Sequence, residues 1–460
     1  MAARSRPARH INLLRGWPGP PLLPTQQIAE STARAMAKPE VSLPALEYGA
    51  DLGFTPLRHS VASWLSNHYR VHPPDPERIC ISGGASQGIA CILQCFTDPI
   101  VTKAVWLVAP AYYLACPIFE DAGFAGRLRA VPEDSEGVDV EWLESKMRDM
   151  GDINAKDQPD PFKPFKPADP LRKLYRHVIY CVPSSSNPSG KTMSLGRRED
   201  LVRLARKHDA LVICDDVYDM LQWNVVPNSS TSSSPPAGET PFPESRRLPR
   251  LVDVDLSLGP PSSTIPSTSR WFGNAISNGS FSKLVSPGMR TGWVESTPAF
   301  ALGVSRTGST RSGGAPSQLC AAVIDDMLST GILDKLISDV VRPALQHKHS
   351  VLLGTVTSMQ SRGVAWELVD GNPVTYGGYF MWIALPPGIS AAAVANIAHD
   401  DENLTVSPGN MFQVLGDEAA AEFDSHVRLC FSWEDEAGIR EGAERLAKVV
   451  LQLTPKTVTS

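Results

Sequence analysis

The sequence predicts an α/β protein whose large domain has a mostly parallel sheet flanked by helices, followed by a smaller α+β domain. Short apolar runs alternate with longer helical patterns between about residues 50 and 325, as in sheets built from strand–helix–strand units. This alternation stops at about residue 330. The chain of 460 residues is also longer than one simple core requires, which favours two domains.

The large domain is predicted to contain strands at 78–82, 104–109, 177–182, 210–214 and 251–254, with helices at 88–96, 139–147 and 194–208. The smaller domain is predicted to contain a long helix at 333–359, apolar runs at 378–384, 404–407 and 427–432, and an amphipathic helix at 434–453. Parallel sheets bind ligands at the carboxyl ends of their strands, so polar residues that follow these runs are candidates for a site.

We expect three parts along the chain. Residues 1–45 are rich in proline, lack a clear regular core and are expected to pack on the smaller domain. Residues 46–328 form the predicted large domain, and residues 329–460 form the small C-terminal domain. Two stretches, 156–172 and a Ser/Pro-rich insertion at about 222–270, are too polar and too rich in proline to be buried, so we predict surface loops there.

Composition and charge exclude several classes of function. The formal net charge is −6 and 20% of the residues are charged, so we expect no nucleic-acid partner and no membrane-surface partner. No apolar run reaches the ~18 residues that span a bilayer. The basic segment 1–10 lacks the apolar stretch of a secretory signal, so a cytoplasmic location is expected. The eight cysteines form no C-x-x-C pair, which favours buried thiols in a reducing compartment and no metal site.

The candidate for covalent chemistry is Lys283, in the segment Ser-Phe-Ser-Lys-Leu-Val-Ser-Pro-Gly-Met-Arg at 280–290. A buried amine loses its proton more easily, because desolvation penalises its charged form. The neutral amine is the nucleophile that forms a Schiff base. The hydroxyls of Ser280 and Ser282 and the guanidinium of Arg290 suit a phosphate group beside that amine.

This segment resembles the signature Ser-x-Ser-Lys followed by Pro-Gly-x-Arg-x-Gly of the class I and II aminotransferases, the fold-type I pyridoxal-phosphate enzymes, and it is intact through Gly292. The resemblance covers about residues 11–453 and points to a fungal-like branch. It implies that Lys283 holds pyridoxal 5'-phosphate as a Schiff base. The chain departs from the usual pattern by its long Ser/Pro-rich insertion, whose role the sequence does not indicate.

A glycine-rich turn, Gly-Gly-Ala-Ser-Gln-Gly at 83–88, follows a predicted strand and opens a helix. Free N–H groups and the helix dipole at such a position favour a phosphate. The resemblance implies that the cofactor phosphate is bound by residues of this turn and of the lysine segment, namely Ala85, Ser86, Gln87, Ser280, Ser282 and Arg290.

Two further predicted strands are followed by residues that suit a flat ring. Tyr112 follows the strand 104–109, and Asn187 opens an Asn-Pro-Ser-Gly sequence after the strand 177–182. As bare sequence, the tyrosine fits an ordinary half-buried residue and the second motif is a turn. The resemblance implies that Tyr112 stacks on the pyridine ring, and that Asn187 donates to its 3-oxygen and lies beside the substrate.

Asp215 follows the predicted strand 210–214 directly, and a carboxylate at that end of a strand is well placed for a site. The resemblance implies that Asp215 pairs with the pyridine nitrogen and that Tyr218 hydrogen-bonds the 3-oxygen. The Asp-x-x-Tyr spacing favours Asp215, and Asp216 remains the alternative.

Arg428 lies inside an apolar run, where an arginine is costly unless it is paired. The resemblance implies that its guanidinium binds the substrate α-carboxylate, and a structural salt bridge is the alternative. The segment Gly-Trp-Pro at 16–18 resembles the family's loop that borders the substrate, so Gly16 is expected beside the substrate. Tyr48 resembles a tyrosine that reaches the phosphate of the neighbouring subunit, so a homodimer with shared active sites is expected.

The resemblance implies an aminotransferase that moves an amino group from an amino acid to a 2-oxo acid by a ping-pong mechanism, with Lys283 as acid and base. The same residues would serve a pyridoxal-phosphate-dependent lyase, such as a carbon–sulfur β-lyase. A non-enzymatic descendant of the fold is a third alternative, disfavoured because every expected contact is present. No second arginine is obviously placed for a dicarboxylate, so the substrate side chain stays open, as does the choice between amino-acid metabolism and secondary metabolism.

Overall fold

The computed structural model describes residues 7–151, 163–225, 247–260, 270–311, 313, 316–369 and 375–455. Large parts of the two predicted surface loops, 156–172 and 222–270, lie outside these residues. Within the described ranges, no helix is both long and apolar enough to cross a membrane. The same ranges contain no group of three or more His, Cys, Asp or Glu side chains arranged to hold a metal ion.

Several helices begin at side chains that cap the first turn. Asp139, Ser194 and Asp435 each accept a hydrogen bond from the backbone N–H three residues on, which satisfies a donor that the helix itself leaves free. The α-helices are α1 (Thr25–Met36), α2 (Pro39–Leu46), α3 (Thr55–Tyr69), α4 (Ala85–Phe96), α5 (Cys116–Phe119), α6 (Val140–Asp149), α7 (Leu195–Lys207), α8 (Leu251–Ser257), α9 (Pro298–Ser305), α10 (Gly308–Arg311), α11 (Gln318–Ser329), α12 (Ile332–Lys335), α13 (Arg342–Ser361), α14 (Ala391–Glu402) and α15 (Glu436–Leu453).

The strands are short, and most of them consist of β-branched, aromatic or small apolar residues that fit a buried sheet. They are β1 (Ile11–Asn12), β2 (Ile79–Ser82), β3 (Ala104–Ala109), β4 (Leu128–Asp134), β5 (Gly137–Val138), β6 (His177–Cys181), β7 (Ala210–Asp215), β8 (Gln222–Asn224), β9 (Ala275–Ser280), β10 (Gly292–Glu295), β11 (Glu367–Leu368), β12 (Thr375–Gly377), β13 (Phe380–Ala384), β14 (Leu404–Thr405), β15 (Ser407–Pro408) and β16 (His426–Cys430).

Within the described residues, eight strands form a large sheet in the order β2-β10-β9-β7-β6-β3-β4-β5. The pairs from β9 through β7, β6 and β3 to β4 are parallel. Strand β10 runs antiparallel to both β2 and β9, and β5 runs antiparallel to β4. The predicted α/β class with a mostly parallel sheet is therefore confirmed.

The centre of this sheet is buried on both faces. Every residue of β6, β7 and β9 is buried. Leu211 and Ile213 of β7 belong to one hydrophobic cluster, which includes residues of α4 and α9. Val212 between them belongs to another, which includes residues of α6 and α7. Covering on both faces explains why the central strands read as continuous apolar runs.

A second, antiparallel sheet has the order β11-β13-β16-β15. In its middle, Arg428 pairs with Trp382 on one side and with Ser407 on the other. The N-terminal segment joins this region, because β1 pairs in parallel with β14 through Ile11 and Leu404. The domain boundaries at about residues 45 and 328 stay a prediction.

The structure corrects the predicted strand at 251–254, which is the first part of helix α8. A run of four residues with only one polar member, Asp253, fits a helix and a strand equally well. The backbone N–H of Arg250 donates to the carboxylate of Asp253 at 3.0 Å, and this contact caps the helix. The next sheet strand is instead β9.

The N-terminal segment is also more regular than expected, because it contains α1 and α2. The polar and proline-rich sequence did not indicate these helices. Contacts with the rest of the chain stabilise them, such as the ion pair of Arg34 in α1 with Asp326 in α11 at 2.8 Å. The predicted helix at 333–359 is interrupted, since a π-helical turn, Leu336–Val341, joins α12 to α13.

Candidate active site

A cavity of about 500 Å³ lies between the carboxyl edge of the large sheet and the N-terminal segment. Residues far apart in the sequence meet here, and the predicted site residues that line the cavity are Gly16, Ala85, Ser86, Tyr112, Asn187, Asp215, Tyr218, Ser280, Ser282, Lys283, Arg290 and Arg428. Gln87 and Tyr48 are not part of its lining.

Lys283 is held in the cavity by the turn that follows β9. Phe281 in this turn is fully buried, and its ring lies 6.2 Å from that of Trp64 and 4.9 Å from that of Trp293. This packing fixes the backbone two residues before the lysine. Lys283 Nζ donates to the carbonyl oxygen of Gly16 at 2.7 Å.

The surroundings of Lys283 favour its neutral amine. Burial lowers the pKa of Lys283 to about 8, and the positive charges of Arg428 and Arg290 act in the same direction, whereas Asp215 opposes them. An ordinary lysine is almost fully protonated at that pH. A much larger share of the Lys283 amine than of an ordinary lysine is therefore neutral and nucleophilic near pH 8.

Asp215 ends β7 and presents a partly unpaired carboxylate to the cavity. The hydroxyl of Tyr180 donates to its Oδ2 at 2.8 Å. Its Oδ1 is buried and has no hydrogen-bond partner within the described chain. Burial raises the pKa of Asp215 to about 6, although Tyr180 and Lys283 lower it. A buried acceptor without a donor is costly, so Oδ1 suits an N–H group that a ligand supplies.

The neighbouring Asp216 does not line the cavity. Its amide donates to the carbonyl oxygen of Asn278 at 3.2 Å, and burial, together with the charge of Asp219, raises the pKa of its carboxyl. Successive residues at a strand end point to opposite faces, which separates the two aspartates. The geometry favours Asp215 as the residue that meets a ligand.

A polar end of the cavity surrounds Arg290. Its guanidinium donates to the carbonyl oxygen of Gly83 at 2.9 Å and to Ser282 Oγ at 3.2 Å, and Ser280 Oγ donates to Ser282 Oγ at 2.9 Å. The backbone φ of Gly84 is +100°, which strains any other residue, and a Cβ atom there would lie 2.6 Å from Arg290 Nη2 and displace the guanidinium. Helix α4 begins directly afterwards, and its free N–H groups complete a setting for an anion.

Gln87 contributes to this end only through the backbone of the turn. Its Oε1 accepts a hydrogen bond from the Gly83 amide at 2.8 Å, and its Nε2 lies 3.0 Å from Cys91 Sγ. The side chain thus closes the turn and points away from the cavity. Its predicted contact with a phosphate stays a prediction.

Two tyrosines contribute protonated hydroxyls to the cavity wall. Burial raises the pKa of Tyr112 to about 12 and raises the pKa of Tyr218 well above its ordinary value. A protonated phenol donates a hydrogen bond. The ring of Tyr112 makes an edge-to-face contact with Tyr113 at 5.9 Å, which holds it at the cavity wall.

Arg428 is a buried guanidinium held entirely by neutral groups. It donates to Asn187 Oδ1 at 2.8 Å, to the carbonyl oxygen of Leu14 at 2.7 Å and to Ser407 Oγ at 3.1 Å. It lies 4.0 Å from the ring centroid of Phe380. Its Nε is buried without a partner in the described chain. The site therefore holds a fixed cation that retains a donor for a carboxylate.

Sequence reasoning missed two residues of this site. Tyr180 lies one strand away from Asp215, and only the pairing of β6 with β7 brings them together, so no sequence motif marked it. Arg15 lines the cavity as well, and it is not among the predicted site residues. A signal existed in this case, because Arg15 directly precedes Gly16.

Tyr48 lies outside the cavity, just after α2, and 88% of its surface is exposed. A Cβ atom at Gly313 would lie 2.5 Å from its Cδ1, so the ring packs on a backbone that has no side chain. Leu43 and Leu46 nearby are also exposed. This short stretch of the chain thus has three large exposed apolar or aromatic side chains, Leu43, Leu46 and Tyr48.

Comparison with known proteins identifies the family of the chain. Residues 20–446 match the family model of the aminotransferases of class I and II. An uncharacterized protein of Saccharomyces cerevisiae is 33% identical over 96% of this chain and 97% of its own length. The aromatic-amino-acid aminotransferase 1 of Thermococcus litoralis is 26% identical over 96% of this chain and 88% of its own length.

A solved structure shows the same fold with a cofactor derivative bound. The α-aminoadipate aminotransferase of Thermus thermophilus, complexed with N-(5'-phosphopyridoxyl)-L-leucine, superposes with a TM-score of 0.70 and 25% identity, covering 97% of this chain and 94% of its own. The chain therefore belongs to the class I and II aminotransferases and is a transaminase that depends on pyridoxal 5'-phosphate.

Proposed function

We propose that this transaminase moves an amino group from an amino acid to a 2-oxo acid in two half-reactions, with ping-pong kinetics, in the cavity that contains Lys283. The main support for the proposal is that three functional groups line one cavity. They are the amine of Lys283, whose pKa is lowered, the unpaired carboxylate oxygen of Asp215 and the fixed guanidinium of Arg428. Each of the three lacks part of its bonding within the described chain in a way that the cofactor or the substrate would complete.

The residues fit pyridoxal 5'-phosphate in order around the cavity. Lys283 would bond its aldehyde carbon, Asp215 Oδ1 would accept a hydrogen bond from its ring nitrogen, and Tyr112 would pack on its ring. Asn187 and Tyr218 would lie beside its 3-oxygen. Its phosphate would be bound at the polar end of the cavity, by Ala85, Ser86, Ser280, Ser282 and Arg290. When bound, the cofactor supplies an acceptor for the electron pair that the substrate Cα–H bond leaves behind.

Lys283 has a second role as the proton carrier. Once the substrate amine has displaced it, Nζ is free to take the proton from Cα and to return a proton to the carbon that bore the aldehyde. Burial, which lowers the pKa of Lys283 to about 8, supports this role, because an acid–base group works best when its pKa lies near the operating pH.

Arg428 orients the amino acid for this proton transfer. Its guanidinium is fixed by Asn187 and Leu14, so binding a carboxylate costs little reorganisation. A substrate held by its α-carboxylate has its Cα placed beside Lys283, since Gly16, which accepts from Lys283, lies two residues after Leu14. Arg428 would bind the carboxylate of the 2-oxo acid in the same way in the second half-reaction.

The proposed assembly is a homodimer. The exposed side chains of Leu43, Leu46 and Tyr48 support it, because several large exposed apolar side chains are typical of protein interfaces. Tyr48 would then reach the cofactor phosphate of the neighbouring subunit. Shared sites would explain why this tyrosine lies outside its own chain's cavity.

The deciding experiment loads the purified protein with pyridoxal phosphate and follows the cofactor absorbance with a panel of amino acids, with and without a 2-oxo acid. Amino transfer predicts a spectral change with the amino acid alone and its reversal by the 2-oxo acid. Release of ammonia or thiol without an acceptor would instead assign a lyase. The absence of any reaction with every amino acid of the panel would favour the third alternative, a non-enzymatic descendant of the fold.

The matched variants are Lys283→Ala and Lys166→Ala. Lys166 is also partly buried, and burial lowers its pKa too, but its amine is bound to the carbonyl oxygen of Leu93 at 3.1 Å, outside the cavity. Only Lys283→Ala is expected to abolish the absorbance of the lysine-bound cofactor. Persistence of that band in Lys283→Ala would overturn the assignment.

A further inference from the structure

Tyr379 is a fully buried tyrosine that contacts Lys283 at two points and does not line the cavity itself. Its hydroxyl donates to the backbone carbonyl oxygen of Lys283 at 3.3 Å. The amine of the same lysine lies over the tyrosine ring, with Nζ 5.2 Å from the ring centroid. The backbone and the reactive end of Lys283 therefore both contact one side chain.

The two residues belong to different sheets. Lys283 lies in the turn after β9 of the large sheet, whereas Tyr379 directly precedes β13 of the second sheet. Within the turn, the carbonyl oxygen of Phe281 accepts from the amides of residues 284–286 at 2.8 to 3.2 Å. Phe281 thus closes the turn, and Tyr379 holds the carbonyl group of Lys283 from the other sheet.

Tyr379 is itself held in place on several sides. Its carbonyl oxygen accepts from the amide of Phe431 at 3.0 Å, and the preceding amide, of Gly378, donates to the carbonyl oxygen of Leu221 at 3.0 Å. Its ring lies 5.5 Å from the ring of Tyr218. Burial raises the pKa of Tyr379 above its ordinary value, so its hydroxyl stays protonated and remains a donor.

Opposing influences set the charge of the Lys283 amine. The charged or titratable groups that act on it are Arg428 and Cys430 of β16, Asp215 of β7, and Arg290. Burial lowers the pKa of Lys283 to about 8, and the two arginines act in the same direction, whereas Cys430 and Asp215 oppose them. An aromatic face beside an amine stabilises its charged form. The ring of Tyr379 therefore also opposes the effect of burial.

We propose that Tyr379 is a positioning residue for Lys283. Its hydroxyl fixes the backbone of the lysine, and its ring stabilises the ammonium group that forms when Nζ takes the proton from the substrate Cα. The proton then leaves Nζ for the carbon that bore the aldehyde, so the amine needs a pKa that permits both steps. The inference rests on the proposed role of Lys283 as the proton carrier and deepens it.

The test of the ring measures how fast the cofactor-free protein captures pyridoxal phosphate as a function of pH. The variants are Tyr379→Phe, which keeps the ring, and Tyr379→Leu, which removes it and stays apolar. Because the neutral amine reacts, the pH of half-maximal rate reports the pKa of Lys283. Tyr379→Leu is expected to lower this pH by roughly 0.5 to 1.5 units, and Tyr379→Phe should leave it unchanged.

The test of the hydroxyl uses Tyr379→Phe in the loaded enzyme and in the capture experiment. Without the hydrogen bond to its carbonyl group, Lys283 is less well placed, so kcat should fall by roughly 3- to 10-fold. The maximal rate of cofactor capture should fall as well. KM should not change, because Arg428 still binds the substrate.

Tyr175 provides the matched control. It is also fully buried, its hydroxyl donates to the carbonyl oxygen of Gly273, and Lys173 Nζ lies 4.2 Å from its ring centroid, outside the cavity. Tyr175→Phe and Tyr175→Leu should lower the free energy of unfolding as the Tyr379 variants do. They should change neither the pH of half-maximal capture nor kcat, which separates lost packing from lost positioning.

Two results would count against the proposal. A pH of half-maximal capture that is the same in wild type and Tyr379→Leu would overturn it. If Tyr379→Leu does not fold, Tyr379→Phe decides, and an unchanged kcat together with an unchanged maximal capture rate would refute the positioning role. Failure of every amino acid to change the cofactor spectrum would instead contradict the proposed function, since cofactor capture requires no amino transfer.

Discussion

The hydroxyl of Tyr180 donates to Oδ2 of Asp215 at 2.8 Å, while Oδ1 of the same carboxylate is buried without a partner in the described chain. The protein thus provides a hydrogen-bond donor for one carboxylate oxygen and none for the other. A buried, half-paired carboxylate destabilises the cofactor-free protein. The same atom would stabilise a bound ring N–H, so the cost to the fold and the benefit to binding have one origin.

We expect Asp215→Asn to stabilise the cofactor-free protein at pH 8 by on the order of 2 kcal/mol. Folding raises the pKa of Asp215 from 3.8 to about 6, so the folded state binds more protons between these values. The free energy of unfolding of the wild type therefore falls as the pH rises through about 4 to 6. Asparagine cannot ionise and avoids this loss.

Urea unfolding of both proteins at pH 4 and pH 8 measures the effect. The two should differ less at pH 4 than at pH 8, and an equal difference at both values would contradict the expectation. Tyr180→Phe is the companion variant. Removing the donor that lowers the pKa of Asp215 should move the fall in stability to higher pH.

The rate at which the cofactor-free protein captures pyridoxal phosphate should report the protonation of Lys283. The neutral amine is the reactive form, and its pKa is lowered to about 8 by burial. Capture should accelerate as the pH rises towards 8 and level off above it. A rapid-mixing experiment that follows cofactor absorbance measures this, and a rate that still rises steeply at pH 10 would show an ordinary lysine.

Replacing Gly84 should weaken cofactor binding through Arg290. The backbone φ of Gly84 is +100°, and a Cβ atom there would lie 2.6 Å from Arg290 Nη2. Gly84→Ala is expected to cost about 1–3 kcal/mol of stability, because it adds backbone strain, and to lower the affinity for pyridoxal phosphate.

Gly196→Ala is the control for this substitution. Gly196 lies in α7, where an added Cβ would meet nothing within 4 Å. Alanine there should stabilise the helix by about 0.5–1 kcal/mol. Denaturant unfolding and cofactor titration of both variants provide the measurement, and an unchanged cofactor affinity in Gly84→Ala would refute the link to Arg290.

Part of this site could be predicted because its residues lie at or shortly after the ends of predicted strands. Asp215 ends β7, and Asn187 lies shortly after β6. The apolar runs do not mark β9, which precedes Lys283, so only the segment around Lys283 and the resemblance that it carries indicate this residue. The parallel pairing brings the ends of β6, β7 and β9 to one edge of the sheet.

Tyr180 and Arg15 could not be assigned in the same way. The role of Tyr180 depends on the side of its strand that faces Asp215, which is a matter of register. Arg15 depends on Trp433, whose ring comes from the other end of the chain. The helix α8 escaped prediction because so short a run as 251–254 shows no hydrophobic period. Long-range packing decides all three.

Arg428→Lys should raise KM for every amino acid by roughly 10- to 100-fold, since an ammonium group cannot bind a carboxylate in the bidentate manner of a guanidinium. Arg198→Lys is the matched control. Arg198 is fully buried and donates to backbone and hydroxyl oxygens outside the cavity, including Ser184 Oγ at 2.9 Å. Arg198→Lys should lower the free energy of unfolding and leave KM unchanged.

Steady-state kinetics with several amino acids tests this role of Arg428. Arg428→Lys should affect acidic and neutral substrates alike. If Arg428→Lys changed only kcat, with KM unaltered, the guanidinium would not be the α-carboxylate binder.

Tyr48 tests whether active sites are shared between subunits. Sedimentation of the wild type should give a dimer. Tyr48→Phe should keep the dimer but lower the affinity for pyridoxal phosphate by about tenfold, because the hydroxyl no longer donates to the phosphate across the interface. Leu451→Ala, at an exposed apolar residue near the end of α15, is the control that should change neither property. A wild type that stays monomeric at every concentration, or an unchanged cofactor affinity in Tyr48→Phe, would exclude this role for Tyr48.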